Sequence, residues 1–243
     1  MDRSETIVKE VNAALERDPR ISFHKHPLKI AVDPDGTLFL EGELENIAAK
    51  KLALEHAAAI GGVIGIVDRL RIAPSIPMGD GEIRDHVRDA LLEEPAINSC
   101  GIRIMNSGRW EIFRESQVAT PHCSIEVTVG DGVVTLDGQV SSLSHKRLAG
   151  VLAWWVPGSR DVVNGLEVAP IQEDSDDEIA EAVKLVLEKD PLINAYRIRA
   201  TVRAAVVTLE GLVVNDAESE MAEMDAWYVF GVDRVVNRLE HER

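Results

Sequence analysis

Three glycines, Gly42, Gly138 and Gly211, each close an apolar run: TLFLEG, VVTLDG and VVTLEG. Twenty residues after each stands another glycine, Gly62, Gly158 and Gly231, followed by GIVDRL, VVNGL and VVNRL. Four residues after each first glycine comes a helix-capping residue, Asn46, Ser142 or Asn215. Upstream, ALERDPRI, ALLEEPAI and LVLEKDPLI share a helix end, a proline (Pro19, Pro95, Pro191) and an isoleucine. Such spacing, kept three times, restricts the chain to one small unit executed in tandem.

The unit reads the same way in each copy. A first helix is expected over about 5–17, 81–93 and 177–189, stopped by the proline. Alternation then marks a strand: Leu28, Ile30 and Val32, or Ile125, Val127 and Val129, or Ile198, Ala200 and Val202. Asp-Pro-Asp-Gly at 33–36 and Gly-Asp-Gly at 130–132 are hairpin turns. A second strand ends at the glycine, a capped helix follows over about 46–59, 142–156 and 215–229, and an aliphatic strand closes the unit. The order is αββαβ, and a helical crossover returns the last strand parallel to its neighbour. The expected fold class is α+β, with three tandem αββαβ modules over 1–73, 79–170 and 175–243. Each is a three-stranded mixed sheet covered on one face by two helices.

The second copy is longer. Proline and glycine are 23 residues apart in copy one, 43 in copy two and 20 in copy three. The excess, about 101–122, alternates at Ile102 and Ile104, turns at Asn106-Ser107-Gly108 and alternates again at Trp110 and Ile112. It reads as an inserted hairpin with Cys100 and Cys123 at its bases. The linker 73–80, APSIPMGD, is semi-stiff, and 170–178, PIQEDSDDE, is extended by its own charge.

These strings resemble the BON domain family. The carrying residues are the proline–isoleucine helix end, VVTLDG and VVTLEG, and the closing VVN-x-L, with looser counterparts in copy one. The resemblance implies an αββαβ fold, a non-catalytic role and binding to phospholipid surfaces or other envelope components, often under osmotic stress.

The residues themselves carry no catalytic constellation: G-x-S-x-G, the P-loop and H-E-x-x-H are all missing. The chain is therefore expected not to be an enzyme and to need no cofactor. The acidic residues fall on helix faces and in a linker, and read as solvated. His24 with His26, and His122 beside Cys123, do not reach the three or four convergent ligands a metal requires, so no metal site is expected. Cys100 and Cys123 could meet as a disulfide across the hairpin's base; in a reducing compartment the expectation is that they are free and partly buried.

Aromatic pairs in the second helices are the most suggestive feature. Trp155 and Tyr228 lie on the core lines of their helices, and Trp154 and Trp227 stand about 100° away, expected half exposed. Lys146 and Arg147 precede Trp154 on the same helix. Trp154, Trp227, Lys146, Arg147 and the insert's Trp110 are thus candidate contacts for a lipid or protein partner. Sealing one module against the next is the plainer role for the helix tryptophans.

Charge bounds the partner. The net charge is -16, divided as -2, -5 and -9 over residues 1–73, 74–172 and 173–243. Nucleic acid is excluded as a general partner, because phosphate binding requires clustered Lys and Arg. No run of 18 apolar residues spans a membrane. The N-terminal MDRSETIVKEV lacks a signal-peptide pattern, so a cytoplasmic chain is expected, or a periplasmic one if that terminus is already processed. The expectation is a tandem-module binding protein, possible partners being a phospholipid surface or a protein. The alternative is an assembly protein whose exposed sheet edges join module to module or chain to chain, a homo-oligomer being one possible form.

Overall fold

The structure is a computed structural model and describes residues 3–117 and 123–242; His122 lies outside them. It divides into two compact units, Met1–Ala73 and Pro74–Arg243.

In the first unit, helix α1 (Arg3–Arg17) buries Ile7, Val11 and Leu15, a stripe at helical spacing. Asp18 ends it by accepting the Arg20 N–H, and Pro19 opens a 3-10 turn that drives Ile21 into the core. Strand β1 (Lys29–Val32) pairs antiparallel with β2 (Thr37–Leu44). Asn46 caps α2 (Ile47–Ala58) by accepting the Ala49 N–H at 2.9 Å, and β3 (Gly65–Ile72) returns parallel to β2.

The second unit carries the plan twice. Its first module comprises α3 (Asp80–Glu93), β4 (Gly101–Asn106), β5 (Arg109–Arg114), β6 (Ser124–Gly130), β7 (Val133–Val140), α4 (Leu143–Trp154), β8 (Asp161–Asn164) and β9 (Glu167–Val168). Then come α5 (Asp176–Lys189), β10 (Ile198–Arg203), β11 (Val206–Val213), α6 (Asp216–Tyr228) and β12 (Arg234–His241). Hairpin pairs are antiparallel and closing strands parallel, as expected. The middle sheet departs from the three strands expected. It has six, in the order β5-β4-β6-β7-β8 with β9 also on β7. The inserted hairpin β4–β5 does not stand apart: β4 pairs parallel with β6, and its Ile102 and Ile104 join the core under α3.

The three repeat-defining glycines hold one structural place. Their φ angles are +151° at Gly42, +112° at Gly138 and +139° at Gly211. A Cβ there would lie 2.6 Å from the Leu28 side chain, 2.2 Å from the Ser124 carbonyl oxygen and 2.0 Å from the Arg197 carbonyl oxygen. The closing strands are equally uniform. Asn164 Nδ2 donates to the Lys146 carbonyl at 2.7 Å, and Asn237 Nδ2 to that of Ser219 at 3.3 Å, tying strand to helix. Asp68 occupies the corresponding place and, being an acceptor only, uses a different partner: buried Lys50 pairs with it at 3.0 Å and donates to the Leu70 carbonyl.

The third module's hairpin turn carries no glycine. Ala204 and Ala205 both adopt left-handed φ, 48° and 59°. The Asp176 carboxylate, at the start of α5, holds them by accepting both N–H groups at 2.7 and 3.0 Å. Asp80 does the same for Asp131 and Gly132 in the second module. Left-handed backbone costs a Cβ-bearing residue roughly 1–2 kcal/mol. Ala205→Gly should therefore raise the stability by about 1 kcal/mol in urea unfolding, a gain that only a relaxed native turn would fail to give.

Candidate functional site

Helix α4 of the second module packs against α5 and α6 of the third. Trp154 stacks on Tyr228 with ring centroids 5.6 Å apart. Trp155 Nε1 donates to Asp225 Oδ1 at 2.8 Å. Lys189 reaches from α5 to Glu94 at 2.8 Å. Arg147, only 1% exposed, donates through Nε to the Phe230 carbonyl at 2.9 Å and through Nη2 to Asp174 at 2.5 Å, while its Nη1 is buried without a hydrogen-bond partner. Lys146 Nζ lies 4.9 Å from the Phe230 ring centre. The acidic linker is thereby fastened rather than merely extended, since Gln172 Oε1 also accepts the Leu143 N–H at 2.9 Å.

Asp225 is the unusual group in this layer. It is 3% exposed, its Oδ2 has no hydrogen-bond partner, and burial pushes its pKa from 3.8 up to about 7 against the hydrogen bond from Trp155. Glu218 is also buried, but it accepts the Val214 and Asn194 N–H groups, which hold its carboxyl below the usual range. Neither matches the solvated role read from helical position.

The inserted hairpin is the opposite case. Strand β5 ends the six-stranded sheet, and its side chains lie open on both faces: Trp110 is 41% exposed, Ile112 61% and Phe113 40%. Met105 pairs with Trp110 and Arg103 with Ile112, so these four share one face. Arg103 lies over the Trp110 ring at 5.6 Å and Arg88 over Phe113 at 5.0 Å. Arg114 fixes the hairpin's base by donating to the carbonyls of Leu92, Ile97 and Cys100.

At that base Cys100 and Cys123 form a disulfide across a Cα–Cα distance of 4.4 Å, both essentially unexposed. The free thiols expected from the sequence are not what the fold gives, because the parallel β4–β6 pairing sets the two residues side by side. His145, from the first turn of α4, brings a ring nitrogen within 4.8 Å of both sulfurs, the one such trio found among the described residues. Burial lowers the His145 pKa from 6.5.

The BON domain family matches residues 3–74, 115–170 and 175–242. The chain belongs to the BON domain family. Domains of this family are generally non-catalytic binding domains, with phospholipids or proteins as partners. The match to the second BON module starts at residue 115, beyond β5, although α3 and β4 supply part of that module's core. No curated protein matches. Among solved structures, the chain is similar at 12% identity to the C-terminal domain of CdsD, the structural protein of the type III secretion system of Chlamydia trachomatis. That alignment covers 100% of both chains with a TM-score of 0.25, and a second CdsD structure gives 12%, 98% and 92% coverage and 0.25. Likeness at that level transfers nothing to this chain. No helix among the described residues is long and apolar enough to cross a membrane.

Of the helix-borne residues singled out from sequence, Trp154, Lys146 and Arg147 engage the third BON module, and Trp227 is buried within that module. The half-exposed position expected of Trp227 is not observed: it is 1% exposed, because α6 is covered on that flank as well as on its sheet side. Arg147 is likewise closed to solvent, and Trp154 and Lys146 are engaged by Tyr228 and Phe230. Trp110 alone of the five stands on an open surface. Arg147→Met keeps the bulk but leaves the Phe230 carbonyl and Asp174 without their donor. A loss of roughly 2–3 kcal/mol is expected in urea unfolding; an unchanged midpoint would show that the guanidinium binds the modules only nominally.

Proposed function

We propose that this BON protein is a non-catalytic binding protein whose contact surface is the inserted β4–β5 hairpin, and that the surface docks on anionic phospholipid. One observation carries the reading: Trp110, Ile112 and Phe113 stay exposed on a terminal strand, while the helix aromatics are used between modules. The exposed hairpin carries Arg109 and Arg103, the latter also paired with Glu126, beside Glu111 and Glu115, in a chain whose net charge is -16. Exposed tryptophan beside arginine suits the headgroup boundary of a bilayer. The reading includes the cytoplasmic leaflet as the surface met, and the stress association that the family suggests. A second reading rests on the same strand's open backbone edge, which can accept a strand from a protein partner or another copy.

Co-sedimentation with phosphatidylserine vesicles at low salt tests the first reading against phosphatidylcholine vesicles as control. Trp110→Ser with Ile112→Ser should weaken binding more than tenfold, given about 1.5–3 kcal/mol per buried large side chain. Absence of binding to the anionic vesicles removes the lipid reading. Self-association that rises with concentration and vanishes in Ile112→Pro would then support strand addition.

A further inference from the structure

We infer that Cys100, Cys123 and His145 form a redox-gated metal site: the oxidised pair is a staple, and the reduced pair with His145 binds a thiolate-preferring cation of the zinc type. The three potential ligand atoms lie within 4.8 Å of one another, the compactness a single ion requires. They come from three separately fixed backbones. Cys100 follows the 3-10 turn Pro95–Ile97 and donates its N–H to the Ile97 carbonyl at 3.0 Å. Cys123 accepts the Gly101 N–H at 2.8 Å, and His145 is set by the Ser142 cap, whose Oγ accepts its N–H at 3.1 Å. The imidazole has its own orienting partner, Ser141 Oγ, 3.0 Å from Nδ1. With Nδ1 so engaged, Nε2 is the nitrogen left for a metal, the arrangement by which a neighbouring group fixes the tautomer of a metal-binding histidine. Two thiolates and one imidazole are a donor set for Zn²⁺ or Cu⁺ rather than for Mg²⁺ or Ca²⁺. Nearby Glu94 is already committed to Lys189 and the Ala96 N–H.

The chemistry balances with a dithiol as reductant. The Cys100–Cys123 bond breaks and takes up two electrons and two protons, and the dithiol closes to its own disulfide. The cation then displaces both thiol protons to solvent and binds two thiolates and neutral His145, leaving one tetrahedral position for water. In either state the hairpin's base is closed, by a covalent bond or by an ion.

The test uses the full chain, reduced with dithiothreitol and freed of it by anaerobic gel filtration, with Co²⁺ as the probe. Two titratable thiols should appear with the far-ultraviolet spectrum unchanged. One Co²⁺ per chain should bind with a sulfur-to-cobalt charge-transfer band, be displaced by Zn²⁺, and fail to bind the oxidised chain. His145→Ala should weaken binding at least about tenfold, the loss that even an orienting neighbour produces, and Ser141→Ala should weaken it less. The inference fails if the reduced, folded chain takes up no stoichiometric Co²⁺, or if His145→Ala leaves affinity and spectrum unchanged. It fails equally if dithiothreitol opens the bond only by unfolding the chain. None of these outcomes depends on what the hairpin docks.

Discussion

Asp225→Asn should stabilise the chain at pH 8 by several kcal/mol and abolish most of the difference in stability between pH 5 and pH 8. Burial raises the folded-state pKa of Asp225 from 3.8 to about 7, so the folded chain holds a proton that the unfolded chain has released. Stability therefore rises as the pH falls through 7 and levels off near 4; above 7 the full deficit, about 4 kcal/mol at most, is present. Asparagine removes the charge and keeps an oxygen for Trp155 Nε1. His145 acts in the other direction: burial lowers its pKa from 6.5, so its contribution is lost as the pH falls below that value. Asp18, held down chiefly by its hydrogen bond from Arg20, and Glu218, held down chiefly by the Val214 N–H, lose stability only under stronger acid. The readout is accordingly the difference between wild type and variant in urea unfolding at the two pH values, in which those groups cancel. Parallel profiles would mean that Asp225 is hydrated when charged.

What the sequence discloses is what local backbone chemistry determines. The glycines, the Asn46, Ser142 and Asn215 caps, and the VVN strings each answer a requirement met within a few residues, so they recur in print as they recur in space. Asp225 and Trp227 fail to declare themselves for the converse reason. Helical phase places Trp227 on a flank, and nothing local buries Asp225, which becomes interior only where α4 packs on α6 and brings Trp155 Nε1 to its carboxylate. The Ala204-Ala205 turn is silent because its stabiliser, Asp176, lies 28 residues away in the chain. Cys100 and Cys123 are visible as a pair, but their union depends on β4 running parallel to β6, and His145 joins them only once α4 lies across that edge. The β4–β5 hairpin is legible as an insertion; its openness is not, since exposure is decided by what the neighbouring elements leave uncovered.

The largest single loss is expected from Gly211→Ala. At φ +139° an L-residue is strained, at a cost of order 1–3 kcal/mol. The added methyl would sit 2.0 Å from the Arg197 carbonyl oxygen, a backbone atom fixed by the antiparallel pairing of β10 with β11. Relief requires the two strands to separate, which breaks ladder bonds around Ile198 and Gly211 and loosens the sheet that α5 and α6 cover. A cost above about 3 kcal/mol follows from strain and lost packing together. Gly42→Ala should be milder, because its obstacle is the end of the Leu28 side chain at 2.6 Å, which can rotate away. Gly138→Ala, facing the Ser124 carbonyl oxygen at 2.2 Å, should resemble Gly211→Ala. Chemical denaturation of the three variants would show this order, two severe and one moderate. Equal effects at Gly42 and Gly211 would mean that side-chain and backbone obstacles yield alike, and that the strand crossing is not what reserves these positions for glycine.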